Sequence, residues 1–258
     1  MPHTNTKIIV TPNAIHVYQF SKVILYGTSK KKVIRARRQR SDSQPRDDLR
    51  NRWRSKKQVG LILESNADPK VFEPRSSFRP LFATFTFAEN ITDLTRANKE
   101  FKQFIQRANY ELGKLYRELT TTLKYLVVPE FQKRGAVHYH VIFFAFPKMD
   151  DTNKFLSRIW KHGFTFNTTI SNVAHLKNYV TKYFTKNYAD PRLRGKKHYF
   201  CSKGVKRPQV YYNRQNNEAI ISQLDKSDVE KQYINGNEVV MYTLHQQNPL
   251  IPFLYHSG

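Results

Sequence analysis

Alternating hydrophobic and polar positions predict β-strands in the middle of the chain. Residues 81–87, LFATFTF, alternate apolar side chains with alanine and threonine, which is typical of a half-buried strand. Residues 126–131 and 136–144 are two further apolar runs, and a basic turn that contains Gly135 separates them. Two such runs joined by a short glycine-containing turn predict a β-hairpin.

Apolar positions at helical spacing predict three helices around these strands. The first follows a cap at Thr92 or Asp93, the second covers residues 150–163 and is closed by Gly163, and the third covers residues 173–187. The apolar face of the first helix is formed by Phe101, Phe104, Ile105 and Ala108. With a further strand at 164–170, the order is strand, helix, hairpin, helix, strand, helix. This order predicts an α+β fold with a central, mostly antiparallel sheet flanked by helices.

The two flanks of this region are less regular. Two short strands around a Pro-Asn turn are expected near the start of the chain, and a weak strand is expected near 237–244. Residues 30–57 contain thirteen Lys or Arg against three Asp and no sustained apolar period. We expect a mobile or weakly helical arm that contacts phosphates, and a solvated basic linker is nearly as good an interpretation. The predicted division is an N-terminal segment of strands and basic arm (1–77), an ordered core (78–190) and a basic C-terminal extension (191–258).

The charge of the chain indicates a polyanionic partner. Its 258 residues include 44 Lys and Arg against 20 Asp and Glu, which gives a formal charge of +24. A surplus of this size favours nucleic acid, although a basic protein that is merely soluble is the plainer alternative. No apolar run approaches the ~20 residues needed to span a bilayer, and the first residues lack a signal-peptide pattern. The single cysteine excludes an internal disulfide framework, and we expect a cytoplasmic protein without a membrane partner.

Two histidines in the second strand of the hairpin form a candidate metal site. His138 and His140 are two residues apart and share one face of the strand, whereas Tyr139 points to the other face. Hairpin pairing brings Glu130 near the same end and adds a carboxylate. Isolated strand histidines are more often ordinary polar residues, but two imidazoles and one carboxylate with open positions are typical of a catalytic metal site.

A second group of candidate residues lies on the third predicted helix, in the sequence YVTKYFTK. Tyr179 and Tyr183 are four residues apart and therefore lie on one helix face, and Lys182 and Lys186 each follow a tyrosine by three. Tyrosines at this spacing are more often half-buried core residues, but the lysines place positive charge beside both hydroxyls. A tyrosine hydroxyl with a pKa of about 10 becomes an effective nucleophile when a metal ion polarises the phosphate under attack.

These motifs together resemble those of the HUH endonucleases, the initiators of rolling-circle replication. VHYHVIFF resembles the His-hydrophobe-His motif, FATFTF is similar to the first motif of the family, and YVTKYFTK resembles the two-tyrosine form of the third motif found in initiators of small single-stranded DNA phages and plasmids. The resemblance covers residues 81–187 in the expected order. One departure is the aromatic Tyr139 at the middle position of the histidine motif.

The resemblance implies a chemistry for each group. His138, His140 and Glu130 are implied to bind Mg²⁺ or Mn²⁺. Tyr179 is implied to attack an origin phosphate, which leaves a 5′-phosphotyrosine and a free 3′-OH, and Tyr183 to cut again so that the strand is rejoined. Which tyrosine acts first stays open. The fold that the resemblance implies, a central antiparallel sheet with helices packed on it, agrees with the pattern-based prediction.

The resemblance also implies partners. These are single-stranded DNA at a replication origin and, because the chain has no G-x-x-x-x-G-K-[ST] loop for ATP-driven unwinding, a host helicase and a host DNA polymerase. Lys182 and Lys186 are implied to act as accessory lysines. The side chains predicted to contact DNA are Arg35, Arg37, Arg38, Arg40, Arg52, Trp53, Arg54, Lys133, Arg134, Arg192, Arg194, Lys196 and Lys197.

Three other function classes compete with a replication initiator. A non-heme iron oxygenase also uses two histidines and a carboxylate, but the charge of +24 would be unexplained. A non-catalytic nucleic-acid-binding protein explains the charge and leaves both motifs as coincidences. A relaxase or transposase of the same superfamily is the nearest alternative, and the double tyrosine favours an initiator over it.

Overall fold

The computed structural model describes residues 3–25, 45–116, 122–171, 190–193, 196–212, 229–234 and 237–245. These residues form three helices and two five-stranded sheets in which every paired strand is antiparallel, so the predicted α+β class is confirmed. They also form short 3₁₀ helices at Pro69–Phe72 and Pro191–Leu193. The elements are β1 (His3–Thr11), β2 (Ala14–Leu25), α1 (Pro45–Asn66), β3 (Phe78–Thr86), α2 (Leu94–Leu115), β4 (Tyr125–Phe131), β5 (Val137–Pro147), α3 (Thr152–Trp160), β6 (Thr165–Thr169), β7 (Phe200–Cys201), β8 (Gln209–Tyr211), β9 (Val229–Ile234) and β10 (Asn237–His245).

The chain forms two compact units. One consists of residues 1–39, 64–66 and 206–258, and the other of residues 40–63 and 67–205. The first unit therefore joins residues from both flanks, which the sequence pattern did not indicate. The sequence-based boundaries after residues 77 and 190 stay a prediction of domain organisation.

The sheet of the first unit has the strand order β8-β1-β2-β10-β9. The two expected N-terminal strands and the weak strand near 237–244 are present as β1, β2 and β10. A buried carboxylate, Glu64, accepts hydrogen bonds from the Thr11 hydroxyl (3.1 Å) and pairs with His16 Nε2 (2.6 Å). These partners replace the water that the carboxylate loses on burial.

The sheet of the second unit has the order β6-β3-β5-β4-β7 and carries a large core on one face. Helix α2 begins after Asp93, whose carboxylate accepts hydrogen bonds from the backbone N–H groups of Thr95 and Arg96, so the predicted start is confirmed. Its four predicted apolar residues are all buried in this core. Tyr139 is fully buried there as well, and its position on the face opposite the histidines is the one that strand alternation predicts.

Helix α3 ends earlier than the sequence pattern suggests. It stops at Trp160, and the left-handed residue after it is Lys161 (φ 63°) rather than Gly163. Gly163 (φ 147°) is required for another reason, because a Cβ there would lie 2.5 Å from the Thr86 carbonyl oxygen. This glycine therefore allows the chain to pass against β3 and enter β6.

Helix α1 differs most from the prediction. Residues 45–66 are helical, so regular structure begins before residue 78, and of the two expectations for the basic arm the helical one holds over residues 45–57. Residues 30–44 lie outside the described part of the chain. The side chains that hold the helix, Val59, Ile62 and Leu63, come after the basic run and pack in a second core with Phe82 and Ile142. Because a window over 30–57 contains none of them, the basic run shows no apolar period.

No helix in the described part of the chain is both long and apolar enough to cross a membrane.

Candidate active site

The two histidines lie side by side on the sheet face that also carries the second core. The ring centroids of His138 and His140 are 4.8 Å apart, and His140 is 6% exposed. The ring of Phe82 is stacked on His140 with a centroid separation of 5.8 Å. This packing fixes the position of the inner imidazole, whereas His138 lies closer to the end of the strand and is half-buried.

Glu130 lies next to the histidines because of the way the two strands of the hairpin pair. It lies directly across from His138 in the β4–β5 ladder, and its Oε2 is 2.5 Å from Nε2 of His140. The turn that sets this register is closed by hydrogen bonds from Gln132 N to Ala136 O and from Gly135 N to Gln132 O. The sequence therefore predicts correctly that Glu130 and both histidines come together.

Two threonines of β3 each contact Nδ1 of one of the two imidazoles. Thr84 lies across from His140 and Thr86 across from His138 in the β3–β5 ladder. Their hydroxyl oxygens are 3.5 Å and 3.3 Å from Nδ1 of the respective histidines. A partner on Nδ1 orients the ring and leaves Nε2 for a ligand. The sequence marks both threonines only as polar positions of a strand, and their contact with the histidines depends on the register.

A glutamine of the turn is a third neighbour of the outer histidine. The Gln132 side-chain amide nitrogen is 3.2 Å from His138 Nδ1, and its oxygen accepts a hydrogen bond from Arg134. Burial, together with the neighbouring His140, lowers the pKa of His138 to about 4, and Glu130 opposes this shift. The imidazole is therefore uncharged at neutral pH, which is the form that binds metals.

The donor set fits a divalent cation in its chemistry. It contains two imidazoles with oriented rings and one carboxylate, which suits Mn²⁺ and related ions. Within the described residues, however, no group of three or more His, Cys, Asp or Glu is arranged so that it could hold a metal ion as it stands. The carboxylate of Glu130 is hydrogen-bonded to Nε2 of His140 itself, so these two donors are paired with each other.

The candidate residues of the third motif lie outside the described residues. These are Tyr179, Tyr183, Lys182 and Lys186. The same holds for Arg35, Arg37, Arg38, Arg40 and Arg194 among the predicted DNA contacts, and for the side chain of Arg52.

The remaining predicted DNA contacts fall into three groups. Trp53 is 62% exposed on α1 with the Lys56 ammonium 5.2 Å from its ring centre, and Arg54 and Lys133 are exposed. Arg134 and Arg192 are engaged within the protein, since Arg134 donates to the carbonyl oxygens of Phe87 and Ala88.

Arg192 forms an ion pair with Asp190 (2.5 Å) and lies over the ring of Phe131. Arg192 is exposed, and its hydrogen bond to the Asp190 carboxylate raises the pKa of the guanidinium.

Lys196 and Lys197 form the third group and lie at a cavity away from the histidines. They line a cavity of about 630 Å³ together with Phe101, Tyr125 and Phe200, which pack against the core on the side of the sheet that Tyr139 faces. The cavity therefore lies on the face opposite the histidines and has no part in the candidate metal site.

One comparison with known proteins finds a family to which part of the chain is similar. Residues 80–188 match the model of the family described as replication-associated protein ORF2/G2P, over less than half of the chain. The matched segment contains β3, the β4–β5 hairpin with its histidines, and the two-tyrosine sequence. Searches of the curated proteins and of the solved structures find no match.

Proposed function

We propose that this chain, which is similar to rolling-circle replication initiators over residues 80–188, nicks and rejoins single-stranded DNA at a replication origin through tyrosine attack. The observation that carries the proposal is the group of two histidines and one carboxylate on a single sheet face, each imidazole contacted by a threonine of the neighbouring strand. The family match supports a replication initiator in general. The metal, the tyrosines and the nicking reaction are our inference.

In this proposal His138, His140 and Glu130 hold Mg²⁺ or Mn²⁺. A bound divalent cation polarises the scissile phosphate and stabilises the charge that develops on it. Thr84 and Thr86 keep the two rings oriented, which avoids reorganisation when the substrate binds.

The nucleophile in the proposal is Tyr179, with Tyr183 for the second cut. The tyrosine oxygen forms a bond to the phosphorus and loses its proton, while the P–O3′ bond breaks and the 3′ oxygen takes up a proton. The products are a 5′-phosphotyrosine and a free 3′-OH, and attack by a 3′-OH on the phosphotyrosine reverses the step and joins the strand. Lys182 and Lys186 offer positive charge for the phosphate.

The reaction leaves a covalent protein–DNA adduct, which makes the proposal testable. Purified protein is incubated with Mn²⁺ and single-stranded DNA tiled across the element that encodes it, and products are separated on a denaturing gel. We expect a protease-sensitive band that requires the metal and is lost in His138→Ala and Glu130→Gln. Mass spectrometry should place the adduct on Tyr179 or Tyr183.

Glu89→Gln provides a matched control, because this glutamate is exposed and forms a surface ion pair with Arg96 (2.7 Å). Its product band should equal that of the unmodified chain. DNA binding without adduct on any tile and with either metal would instead support a non-catalytic binding protein.

We further propose that a host helicase and a host polymerase extend and displace the strand, since the chain lacks a phosphate-cradling ATP-binding loop. ATP-driven unwinding by the purified chain would contradict this.

A further inference from the structure

Two exposed phenylalanines lie at the edge of the sheet that carries the histidines. Phe164 is 67% exposed and Phe166 is 51% exposed, and β6 is the edge strand. Single exposed apolar residues are common on protein surfaces, but two exposed rings, Phe166 in β6 and Phe164 directly before it, form an apolar patch of the kind that binds a partner.

The register places these rings in line with the candidate metal site. In one row across the sheet, His140 faces Thr84 and Thr84 faces Phe166. In the next row, Thr86 lies across from His138, and its backbone N–H donates to the Phe164 carbonyl (2.9 Å). Directly paired residues of neighbouring strands point to the same face, so Phe166 shares the face of the histidines. Phe164, two residues earlier, has the same orientation by strand alternation.

The distance between the rings and the histidines suits one DNA strand. Neighbouring strands are about 4.8 Å apart, so β6 lies about 10 Å from β5. Stacked DNA advances about 3.4 Å per nucleotide along one strand, and the gap is therefore covered by a few nucleotides. A strand whose phosphate is held at the histidines has bases within reach of both rings.

The two rings are held on a rigid support. On the inner side of β6, the fully buried Thr165 lies between Ser157 Oγ (2.5 Å) and Asn153 Oδ1 (3.3 Å) of α3. Gly163 fixes the entry into the strand through its close approach to Thr86. Anchoring of this kind reduces the conformational entropy that is lost when a ligand stacks on the rings.

The chemistry of the patch favours bases rather than phosphates. Strand β6 has the sequence TFNTT and carries no charged residue, whereas the chain as a whole has a formal charge of +24. Proteins that bind single-stranded DNA combine the same two features: cationic side chains contact the phosphates, and aromatic rings stack on the bases. An aromatic ring stacks on every base, so the patch would not select a sequence.

We propose that Phe164 and Phe166 form a stacking platform for the bases of the single-stranded substrate next to the phosphate held at His138 and His140. This inference rests on the proposed function, and it assigns a path for the DNA from the histidines towards the β6 edge.

The test uses single-stranded origin oligonucleotides with one 2-aminopurine moved along the sequence. With the full chain carrying Tyr179→Phe and Tyr183→Phe, and with Mg²⁺ present so that the phosphate is held but not cut, fluorescence should fall at one or two neighbouring positions, because stacking on a ring quenches the probe. Phe166→Ala should restore this fluorescence and weaken binding about ten-fold, which follows from the known contribution of one base–aromatic stack. Phe166→Trp should quench again and bind at least as tightly as the unmodified chain.

Tyr110→Ala is the matched control, because Tyr110 is similarly exposed (64%) on α2 and contacts Lys114 rather than the sheet. Its binding and its quenching pattern should equal those of the unmodified chain. Circular dichroism melting of each variant checks that the fold is intact, and truncation of an exposed ring should change it little.

The two proposals fail in different ways. If Mn²⁺-dependent adducts form and Phe166→Ala binds within two-fold of the unmodified chain with unchanged quenching, the platform is wrong and the nickase stands. If quenching depends on Phe166 but no adduct ever forms, the nickase is wrong and the platform stands. A dimer in sedimentation that Phe164→Ala and Phe166→Ala dissociate, with DNA binding unchanged, would show that the patch is a protein interface and overturn the inference.

Discussion

Replacing Thr86 with valine should weaken metal binding while leaving the fold intact. Thr86 Oγ1 is 3.3 Å from His138 Nδ1, and valine has the same shape without the hydroxyl. Valine is also favoured in strands, so β3 should be unaffected. Loss of a partner behind a metal-binding imidazole typically reduces metal affinity or activity 10- to 100-fold, which corresponds to about 1.4 to 2.7 kcal/mol. Because the Gln132 amide nitrogen, 3.2 Å from the same Nδ1, stays in place, we expect Thr86→Val to reduce the affinity about ten-fold.

The structure also orders the effects of related variants. The Thr84 hydroxyl is 3.5 Å from His140 Nδ1, a weaker contact, and His140 is additionally held by the stacked ring of Phe82. We therefore expect Thr84→Val to reduce metal affinity less than Thr86→Val does, by under about ten-fold. Thr86→Ser keeps a hydroxyl and should bind within about two-fold of the unmodified chain.

The assay is a titration of the purified chain with Mn²⁺, followed by electron paramagnetic resonance of the free ion. His138→Ala provides the baseline for a lost site, and thermal melting without metal confirms equal folding. Equal Mn²⁺ affinity for Thr86→Val, Thr86→Ser and the unmodified chain would refute the reasoning that the threonine orients the ring.

Three further predictions concern stability and are measured by urea unfolding. Gly163→Ala should destabilise the chain by about 2 to 4 kcal/mol, because the new Cβ would lie 2.5 Å from a backbone oxygen at a φ of 147°. Gly113→Ala is the control in helix α2, where nothing lies within 4 Å of the new Cβ, and it should stabilise the chain by about 0.5 to 1 kcal/mol. Equal effects of the two substitutions would contradict the close approach at Gly163. Glu64→Ala removes a buried carboxylate from two donors and should cost about 2 to 4 kcal/mol, whereas the exposed Glu89→Ala should have a much smaller effect. A small effect at Glu64 would show that water replaces the carboxylate. Tyr139→Phe removes the hydrogen bond to the Asn98 side chain (2.7 Å) and should lower the free energy of unfolding by about 1 kcal/mol. An unfolding free energy equal within error to that of the unmodified chain would disprove this prediction.

Much of the candidate site follows from strand geometry and was predictable from the sequence. His138 and His140 share a face because side chains alternate along a strand, and the short turn at Gly135 brings Glu130 opposite His138. The position of Tyr139 on the face opposite the histidines follows from the same alternation. These are local relations, set by residues within about ten positions of one another.

The parts that were not predicted depend on partners that are distant in sequence. The contact of Thr84 and Thr86 with the imidazoles depends on how β3 pairs with β5, and the position of Phe166 depends on a further strand pairing. The extension of helix α1 through residue 66 was not predicted, because its apolar residues follow a long basic run that lacks an apolar period. Arg134 donates hydrogen bonds to two backbone carbonyls, and the number of charged residues in the sequence does not predict this contact.

The pairing of β2 with β10 has a consequence for the order in which the chain folds. Phe20 pairs with Val239, so β2, which pairs with β1 on one side, meets its second neighbour only after the whole segment between β2 and β10 has been synthesised. Contacts between such distant segments form slowly, since a long loop must be closed before they stabilise anything. The strands around the histidines pair within a much shorter stretch of chain. We therefore expect the histidine-bearing sheet to form during translation and the sheet of the first unit to be completed only after synthesis has passed β10.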